Sequence, residues 1–173
     1  EKYKFSKIIT QCPHCFHTLK NEYVDFGGNF DVIHHSELIN DLMESKSISV
    51  TKSDLKTITY HDPCYLGRYN DIYDTPRNIL QNSTDAHKIV EMENNRNNSF
   101  CCGAGGGNMW HEINEGERVN VVRFREAVSS GAETIVTACS FCLIMMDDAM
   151  RVDGKEEEIK ILDIAEVVNS KIN

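Results

Sequence analysis

The chain has 173 residues, 40% of them hydrophobic, which is enough for one compact domain with a core of its own. Its 18 basic and 27 acidic residues give a formal net charge of −9, which disfavours nucleic acid and anionic membrane surfaces as direct partners. No apolar run approaches the roughly 18 residues of a membrane span, and no secretory signal is recognisable. With seven cysteines, an odd number, we expect a reducing, cytoplasmic setting and no direct membrane insertion by this segment.

The predicted elements alternate between strand and helix. A first strand is predicted over residues 3–10, and a strand and a helix follow within 32–40. Apolar, β-branched segments predict further buried strands at residues 57–60, 87–90, 134–138 and 158–162. Helices are predicted from Asp74 to about Gln81, from about Glu117 to Ser130, and from Phe141 onward. This order predicts an α/β fold, a parallel sheet with helices flanking it, in which the asparagine-rich segment 91–99 is an exposed loop.

An internal repeat underlies the alternation. Residues 8–15, IITQCPHC, parallel residues 135–142, IVTACSFC, at an offset of 127 positions, and the segments that follow match at an offset near 129. Each unit has the order strand, C-x-x-C, helix, strand, helix. We therefore predict that residues 1–50 are the C-terminal part of a first repeat and that residues 51–173 are a complete second repeat, packed as one compact unit. The chain is then expected to be the C-terminal fragment of a longer protein.

Five cysteines of the second repeat have a regular spacing. Thirty-six residues separate Cys64 from Cys101, and thirty-six again separate Cys102 from Cys139, so that the pattern is C-x36-C-C-G-x36-C-x-x-C and ends at Cys142. Because Cys64 and Cys139 follow predicted strands, the cysteine segments are expected to converge at the carboxyl edge of one sheet. Thiolates bind iron-sulfur clusters, zinc or copper(I), and five exceed what a four-coordinate zinc ion uses. A centre with several irons could use all five.

Other interpretations of these residues stay open from the sequence. Zinc could be held by the two C-x-x-C pairs at 12–15 and 139–142, although 123 residues separate them. Either pair could be a thioredoxin-like dithiol, which would leave the adjacent cysteines 101–102 unexplained. The glycine-rich run 103–108 is a loose version of the dinucleotide-binding fingerprint. Outside catalysis, the thiols could hold zinc in a protein-interaction module whose acidic surface binds a partner.

Three stretches of sequence carry a resemblance to a known family. They are HDPCYLGR at 61–68, CCGAGGGNMW at 101–110 and GAETIVTACSFC at 131–142. In these stretches the chain resembles the CCG-domain family, cysteine-rich iron-sulfur oxidoreductases that include the catalytic subunit of heterodisulfide reductase. The resemblance covers nearly the whole chain and is strongest to the branch that passes electrons from electron-transfer flavoprotein, or from acyl-CoA oxidation, to quinone.

The resemblance implies a cofactor and its ligands. One noncubane 4Fe-4S cluster would be held by Cys64, Cys101, Cys102, Cys139 and Cys142. The cluster would relay electrons or reductively cleave a disulfide, and His61 and Arg68 are candidates for tuning its potential by their charge. The sequence does not identify a catalytic residue.

The first C-x-x-C would belong to a second, incomplete site. Cys12 and Cys15 match the last two ligands of a first cluster whose other ligands are missing, and their strand-to-helix junction is expected to lower both thiol pKa values. This pair keeps the proline that the family usually has between its last two ligands. The complete repeat has Ser140 instead, and we expect ligation to survive this change.

The resemblance also implies partners. These are other redox subunits or domains of a parent complex, including electron-transfer flavoprotein, and any membrane association would come through domains absent from this chain. An alternative with the same motifs is the iron-sulfur subunit of a lactate or glycolate oxidase.

Overall fold

The computed structural model describes residues 4–111 and 116–172. The elements before residue 50 are β1 (Ile8–Thr10), α1 (Pro13–His17), β2 (Val32–His34) and α2 (His35–Glu44). Those after it are β3 (Ile58–His61), α3 (Cys64–Gly67), α4 (Asp74–Ser83), β4 (Ile89–Val90), α5 (Val119–Ser129), β5 (Thr134–Thr137), α6 (Ser140–Val152), β6 (Lys160–Asp163) and α7 (Ile164–Asn169).

The main sheet is parallel throughout and has the strand order β4-β3-β5-β6. Its two central strands, β3 and β5, are buried along their whole length and pair from Ile58 with Thr134 to His61 with Thr137. Neighbouring residues of β5 face opposite cores. Ile135 packs with α5 and α6, whereas Val136 packs with α4 and α7. Helices therefore cover both faces, as a fully parallel sheet requires, and the predicted α/β fold is confirmed.

Most predicted elements are present with shifted ends. The first strand is only Ile8–Thr10, and Tyr3, where it was expected to begin, lies outside the described residues. The strand expected over 87–90 keeps two residues, because a 3-10 turn occupies Ala86–Lys88. Strand β6 begins two residues later than predicted. Along the described ranges, no helix combines the length and apolar content that crossing a bilayer requires.

The prediction that residues 91–99 form an exposed loop is wrong in part. Met92 is 1% exposed and packs in the core with Phe124 and Met146, and Ser99 is 3% exposed. A 3-10 turn at Arg96–Asn98 lies between them. The asparagines gave the segment a polar composition, but its backbone is folded onto the sheet edge that carries the cysteines.

The internal repeat is visible in the register and in the helix caps. Strands β1 and β2 form a separate parallel pair in which Ile8 lies beside Val32, and the repeat offsets place these two on Ile135 and Ile161, which also pair. His34 closes a capping box with Glu37 at the start of α2, and Asp163 closes one with Glu166 at the start of α7. The two units also touch, because His35 Nε2 lies 3.0 Å from Asp163 Oδ1. The division near residue 50 stays a prediction.

Candidate metal centre

Three segments bring five cysteines to the carboxyl edge of the main sheet. Cys64 opens α3, three residues beyond the end of β3, with Pro63 as the N-cap. Cys139 is the N-cap of α6, directly after β5, and Cys142 lies in the first turn of that helix. Because β3 and β5 are parallel neighbours, their carboxyl ends adjoin, and the cysteines that follow them reach one place.

The third segment, Cys101-Cys102, is held at the same edge by polar contacts of the loop before it. Ser99 Oγ donates to the Asp62 carbonyl at 3.1 Å, and the Arg68 guanidinium donates to the carbonyl oxygens of Ser99 and Asn97. Arg68 therefore fastens the loop that leads to the adjacent cysteines, a role that the sequence did not indicate.

The backbone after Cys102 needs glycine at its first position. Gly103 has φ of +88°, and an added Cβ would lie 3.2 Å from Asn120 N and from Val119 Cβ. Its N–H donates to Cys101 Sγ at 3.3 Å. The turn thus aims a backbone donor at one of the predicted ligands.

The sulfur atoms come together in a largely buried setting. Cys102, Cys139 and Cys142 are buried, whereas Cys64 and Cys101 are half-buried, and all five are free thiols. The ligand atoms of Cys102, Cys142 and His61 lie within 4.8 Å of one another. Five soft donors at one water-poor edge are the donor set that a cysteine-ligated metal-sulfur group needs, so the residues fit such a group.

Neighbouring thiols control one another's protonation. Hydrogen bonds from Cys102 and Cys64 lower the pKa of Cys101, and a hydrogen bond from Cys142 lowers the pKa of Cys139 to about 5. The same kind of contact raises the pKa of Cys64, raises that of Cys102 to about 12, and raises that of Cys142, with burial adding to the effect. The thiols therefore share protons through these contacts, and binding of a metal to this set would be coupled to proton release.

A buried ion-pair network supports the segment that leads to Cys64. The Arg77 guanidinium donates to both carboxylate oxygens of Asp62 at 2.7 and 2.9 Å, and to both of Glu91 at 2.7 and 2.9 Å. Burial alone would lower the pKa of Arg77, but the hydrogen bonds to Asp62 and Glu91 raise it above its usual value. Asp62 also accepts the Arg96 N–H at 2.8 Å. One carboxylate therefore ties the Cys64 segment to the loop before Cys101.

His61 does not supply the charge that the sequence suggested. Burial, together with the neighbouring Arg123, lowers the pKa of His61 to about 3, so its ring is neutral near pH 7. The nearby buried charge is that of Arg123 on α5, whose side chain is fully buried. No sequence pattern marked Arg123 as buried, because it lies off the helical stripe formed by Val121, Phe124 and Val128.

The first C-x-x-C faces the second through an aromatic contact. Cys12 is the N-cap of α1, and its Sγ lies 3.8 Å from His14 Nδ1. The His14 ring centroid is 4.0 Å from that of Tyr65 and 5.5 Å from that of Phe141. Hydrogen bonds to the Cys12 and Cys139 thiols raise the pKa of His14 to about 9. A cationic imidazole therefore lies between the two cysteine pairs.

The thiol pKa values of the first pair are shifted in opposite directions. Burial raises the pKa of Cys12, but hydrogen bonds, first from His14, bring it below its ordinary value, as the sequence predicted. The prediction is wrong for Cys15, whose pKa is raised by burial and by the Cys12 thiol. The backbone N–H of Cys15 favours its thiolate, but burial and the Cys12 thiol outweigh that contribution.

Neither the zinc arrangement that joins both C-x-x-C pairs nor the whole five-cysteine set is gathered within 4.8 Å. Among the described residues, which include all seven cysteines, the ligand atoms gathered within 4.8 Å in a group of three or more are those of His61, Cys102 and Cys142. Cys12 and Cys15 lie outside this group, as do Cys64, Cys101 and Cys139.

Comparison with known proteins identifies the domain. The profile of the CCG cysteine-rich domain matches residues 58–147, about half of the chain. This chain belongs to the CCG family. The CCG match begins with β3 and ends within α6, so it includes Cys64, Cys101, Cys102, Cys139 and Cys142.

The relatives of this CCG domain are iron-sulfur oxidoreductases. The chain is 40% identical over 172 residues to the probable iron-sulfur-binding oxidoreductase FadF of Bacillus subtilis, and 40% identical over 173 residues to the EtfAB:quinone oxidoreductase of Syntrophomonas wolfei. These matches cover 99% and 96% of the chain, and 24% of each relative. It is also 33% identical over 165 residues to one subunit of the dihydromethanophenazine:CoB–CoM heterodisulfide reductase of Methanosarcina barkeri, a match that covers 94% of the chain and 40% of that subunit.

The chain therefore spans about a quarter of the length of the first two relatives. The predicted resemblance to iron-sulfur oxidoreductases of the CCG family is confirmed.

Proposed function

We propose that the chain is a redox domain in which Cys64, Cys101, Cys102, Cys139 and Cys142 hold one noncubane 4Fe-4S cluster. The observation that carries the proposal is the convergence of three segments, spaced by 36 residues each, on the carboxyl ends of two adjacent parallel strands. The adjacent pair Cys101-Cys102 supplies two sulfurs from one turn, which favours a centre with several metal ions over a single zinc ion.

The bound cluster would supply one-electron chemistry, and the chain's own groups set its surroundings. The three buried cysteines restrict water on the protein side of the site, while the half-buried Cys64 and Cys101 leave a route from the surface. Backbone N–H groups of Cys142 and Phe141 hydrogen-bond the Cys139 sulfur and favour its thiolate. The Asp62–Arg77 pair holds the segment next to Cys64 in place.

The role of the domain would be to relay electrons, or to cleave a disulfide reductively, within a larger redox assembly. Two relatives support this proposal by name, an EtfAB:quinone oxidoreductase and a component of a heterodisulfide reductase. Other redox subunits or domains, with electron-transfer flavoprotein among them, would then be its partners, and contact with a membrane would come through those other parts.

Residues 1–50 would be the tail of a first CCG repeat, with Cys12 and Cys15 as two ligands of another cluster. The matched register of β1–β2 and β5–β6, and the matched capping boxes of α2 and α7, support this proposal. Cys12 occupies the N-cap of its helix just as Cys139 does.

Anaerobic reconstitution with iron and sulfide tests the cluster assignment. We expect about four irons per chain and a brown chromophore with a paramagnetic reduced state. Cys102→Ser should lose this spectrum, whereas the matched control Cys15→Ser should keep it, because Cys15 is exposed and is not one of the five proposed ligands. A colourless protein that binds zinc without sulfide would refute the proposal.

Alkylation followed by peptide mass mapping shows which cysteines are protected by a bound cluster. In the loaded chain, Cys12 and Cys15 should be labelled while the five cysteines of the complete repeat are protected. Cys12 should react before Cys15, because only its pKa is lowered. Protection of the first pair with labelling of Cys64, Cys101 and Cys102 would instead support zinc shared between the two C-x-x-C pairs.

A further inference from the structure

Arg123 is held in one position beside the cysteines by four acceptors. Its Nε donates to His61 Nδ1 at 3.0 Å, and Nη1 donates to the Asn94 carbonyl at 2.8 Å and to Glu126 Oε2 at 2.6 Å. Nη2 donates to Ser99 Oγ at 3.2 Å. The side chain is fully buried and the guanidinium does not contact solvent, so these four hydrogen bonds fix its orientation.

This contact decides where the His61 ring carries its proton. A guanidinium has only donors, so the nitrogen that faces Arg123 Nε must accept and cannot carry a hydrogen. A neutral ring then has its proton on Nε2. A doubly protonated ring would point one N–H at another beside a buried cation, so this form is disfavoured.

The other ring nitrogen of His61, Nε2, lies on the side of the cysteines. His61 Nε2 is buried and has no hydrogen-bond partner among the described residues. The ligand atoms of His61, Cys102 and Cys142 lie within 4.8 Å of one another, a grouping that resembles a three-ligand metal site. In metal sites, however, a histidine usually donates its second N–H to an acceptor, which leaves a lone pair for the metal. In this chain His61 Nδ1 accepts from Arg123 Nε, so Nε2 carries the hydrogen and has no lone pair for a metal.

We propose that Arg123 fixes His61 as the Nε2–H tautomer, so that His61 donates a hydrogen bond to sulfur at the Cys102–Cys142 side of the centre and is not a metal ligand. Arg123 is then a positioning residue that acts through His61. That the sulfur belongs to an iron-sulfur centre rests on the proposed function, whereas the tautomer of His61 does not. A donor to ligand or cluster sulfur stabilises the more negative, reduced form and raises its reduction potential.

The tautomer can be measured on the chain without metal. Long-range proton–nitrogen correlation spectra of the 15N-labelled protein near pH 7 distinguish the two tautomers and the cation. We expect the His61 signals, identified by their absence from His61→Gln, to show protonation at Nε2 alone. A proton on Nδ1, or on both nitrogens, would overturn the proposal.

Two substitutions then separate the donor from the bulk of the ring. In His61→Gln, the side-chain oxygen can accept from Arg123 while the amide N–H₂ donates toward sulfur, whereas His61→Leu can do neither. After anaerobic loading, a redox titration followed by electron paramagnetic resonance should place His61→Leu at a more negative potential and His61→Gln near the wild type. An unchanged potential in His61→Leu would refute the donor role.

Direct ligation has a signature of its own. Electron-nuclear double resonance on the loaded, 15N-labelled chain should show no nitrogen coupling of the size given by an iron-bound imidazole, and a large coupling lost in His61→Gln would overturn the proposal. If His61→Leu does not fold, the tautomer and the His61→Gln potential still decide the question. A chain that takes up no iron would refute the proposed function, whereas the tautomer, read without metal, would still decide this inference.

Discussion

Arg77→Met should unfold the chain at much lower urea concentration, because it leaves the Asp62 carboxylate buried without its counter-charge. The Arg77 side chain is 6% exposed and that of Asp62 is 2% exposed. After the change, the Arg96 N–H would be the donor that remains from the contacts described for this carboxylate. Removing one partner of a buried ion pair costs about 3–5 kcal/mol of unfolding free energy. With a denaturant slope of about 2 kcal/mol/M, the urea midpoint should fall by about 2 M.

Urea titrations of the metal-free chain by circular dichroism provide the measurement. Arg151→Met is the matched control, because it removes an arginine that pairs with Asp147 on the solvent face of α6, and its midpoint should hardly move. The double variant Asp62→Asn/Arg77→Met should lose less than the sum of the single losses, since neither charge is then buried alone. A midpoint for Arg77→Met that matches the Arg151→Met control would refute the reasoning. The loaded variant should also bleach faster in air, because Asp62 lies two residues before Cys64.

Two further predictions concern the helix starts. Ser140→Pro should raise the unfolding free energy by about 0.4–1 kcal/mol, because Ser140 is the first residue of α6 and follows an extended Cys139. Pro13 has the same position after Cys12 in α1. A lower urea midpoint would show that the Ser140 N–H is needed. The pKa of His34 is lowered to about 3, first by burial and then by His35, so the unfolded chain binds this proton more readily. The contribution of this group to the unfolding free energy should therefore be complete above about pH 6.5 and should fall toward pH 3 by about 1.4 kcal/mol per pH unit. His34→Asn keeps a capping acceptor but cannot bind this proton, so it should remove that part of the slope. Urea titrations at several pH values provide the measurement.

The meeting of Cys64 with Cys139 and Cys142 was predictable because it depends on strand ends. Runs such as Thr134–Thr137 are short, apolar and β-branched, and in a parallel sheet the residues that follow them must share one edge. The strand ends therefore predicted that Cys64 and Cys139 would converge, whereas the place of Cys101 depends on the loop before it.

The polar support of the site could not be predicted in the same way. Arg77 and Arg123 lie on helices, but their partners come from strand ends and from the loop 91–99, and the pairing depends on how those elements cross. The loop itself has the polar composition that is typical of an exposed segment. Asp62 and Arg123 bind the backbone of this loop, at the Arg96 N–H and the Asn94 carbonyl, and Met92 and Ser99 are buried there.

The strand pairing has a consequence for the order of folding and metal uptake. Cys64 and Cys139 meet only after β3 and β5 have paired, and their register joins residues 76 positions apart, Ile58 with Thr134. Contacts between such distant residues form slowly and late. No short loop of this repeat could gather the five sulfurs by itself, in contrast to a zinc finger, which folds around its ion. The chain should therefore fold first and acquire iron afterwards, so refolding before iron is added should give a higher loaded yield than refolding in its presence.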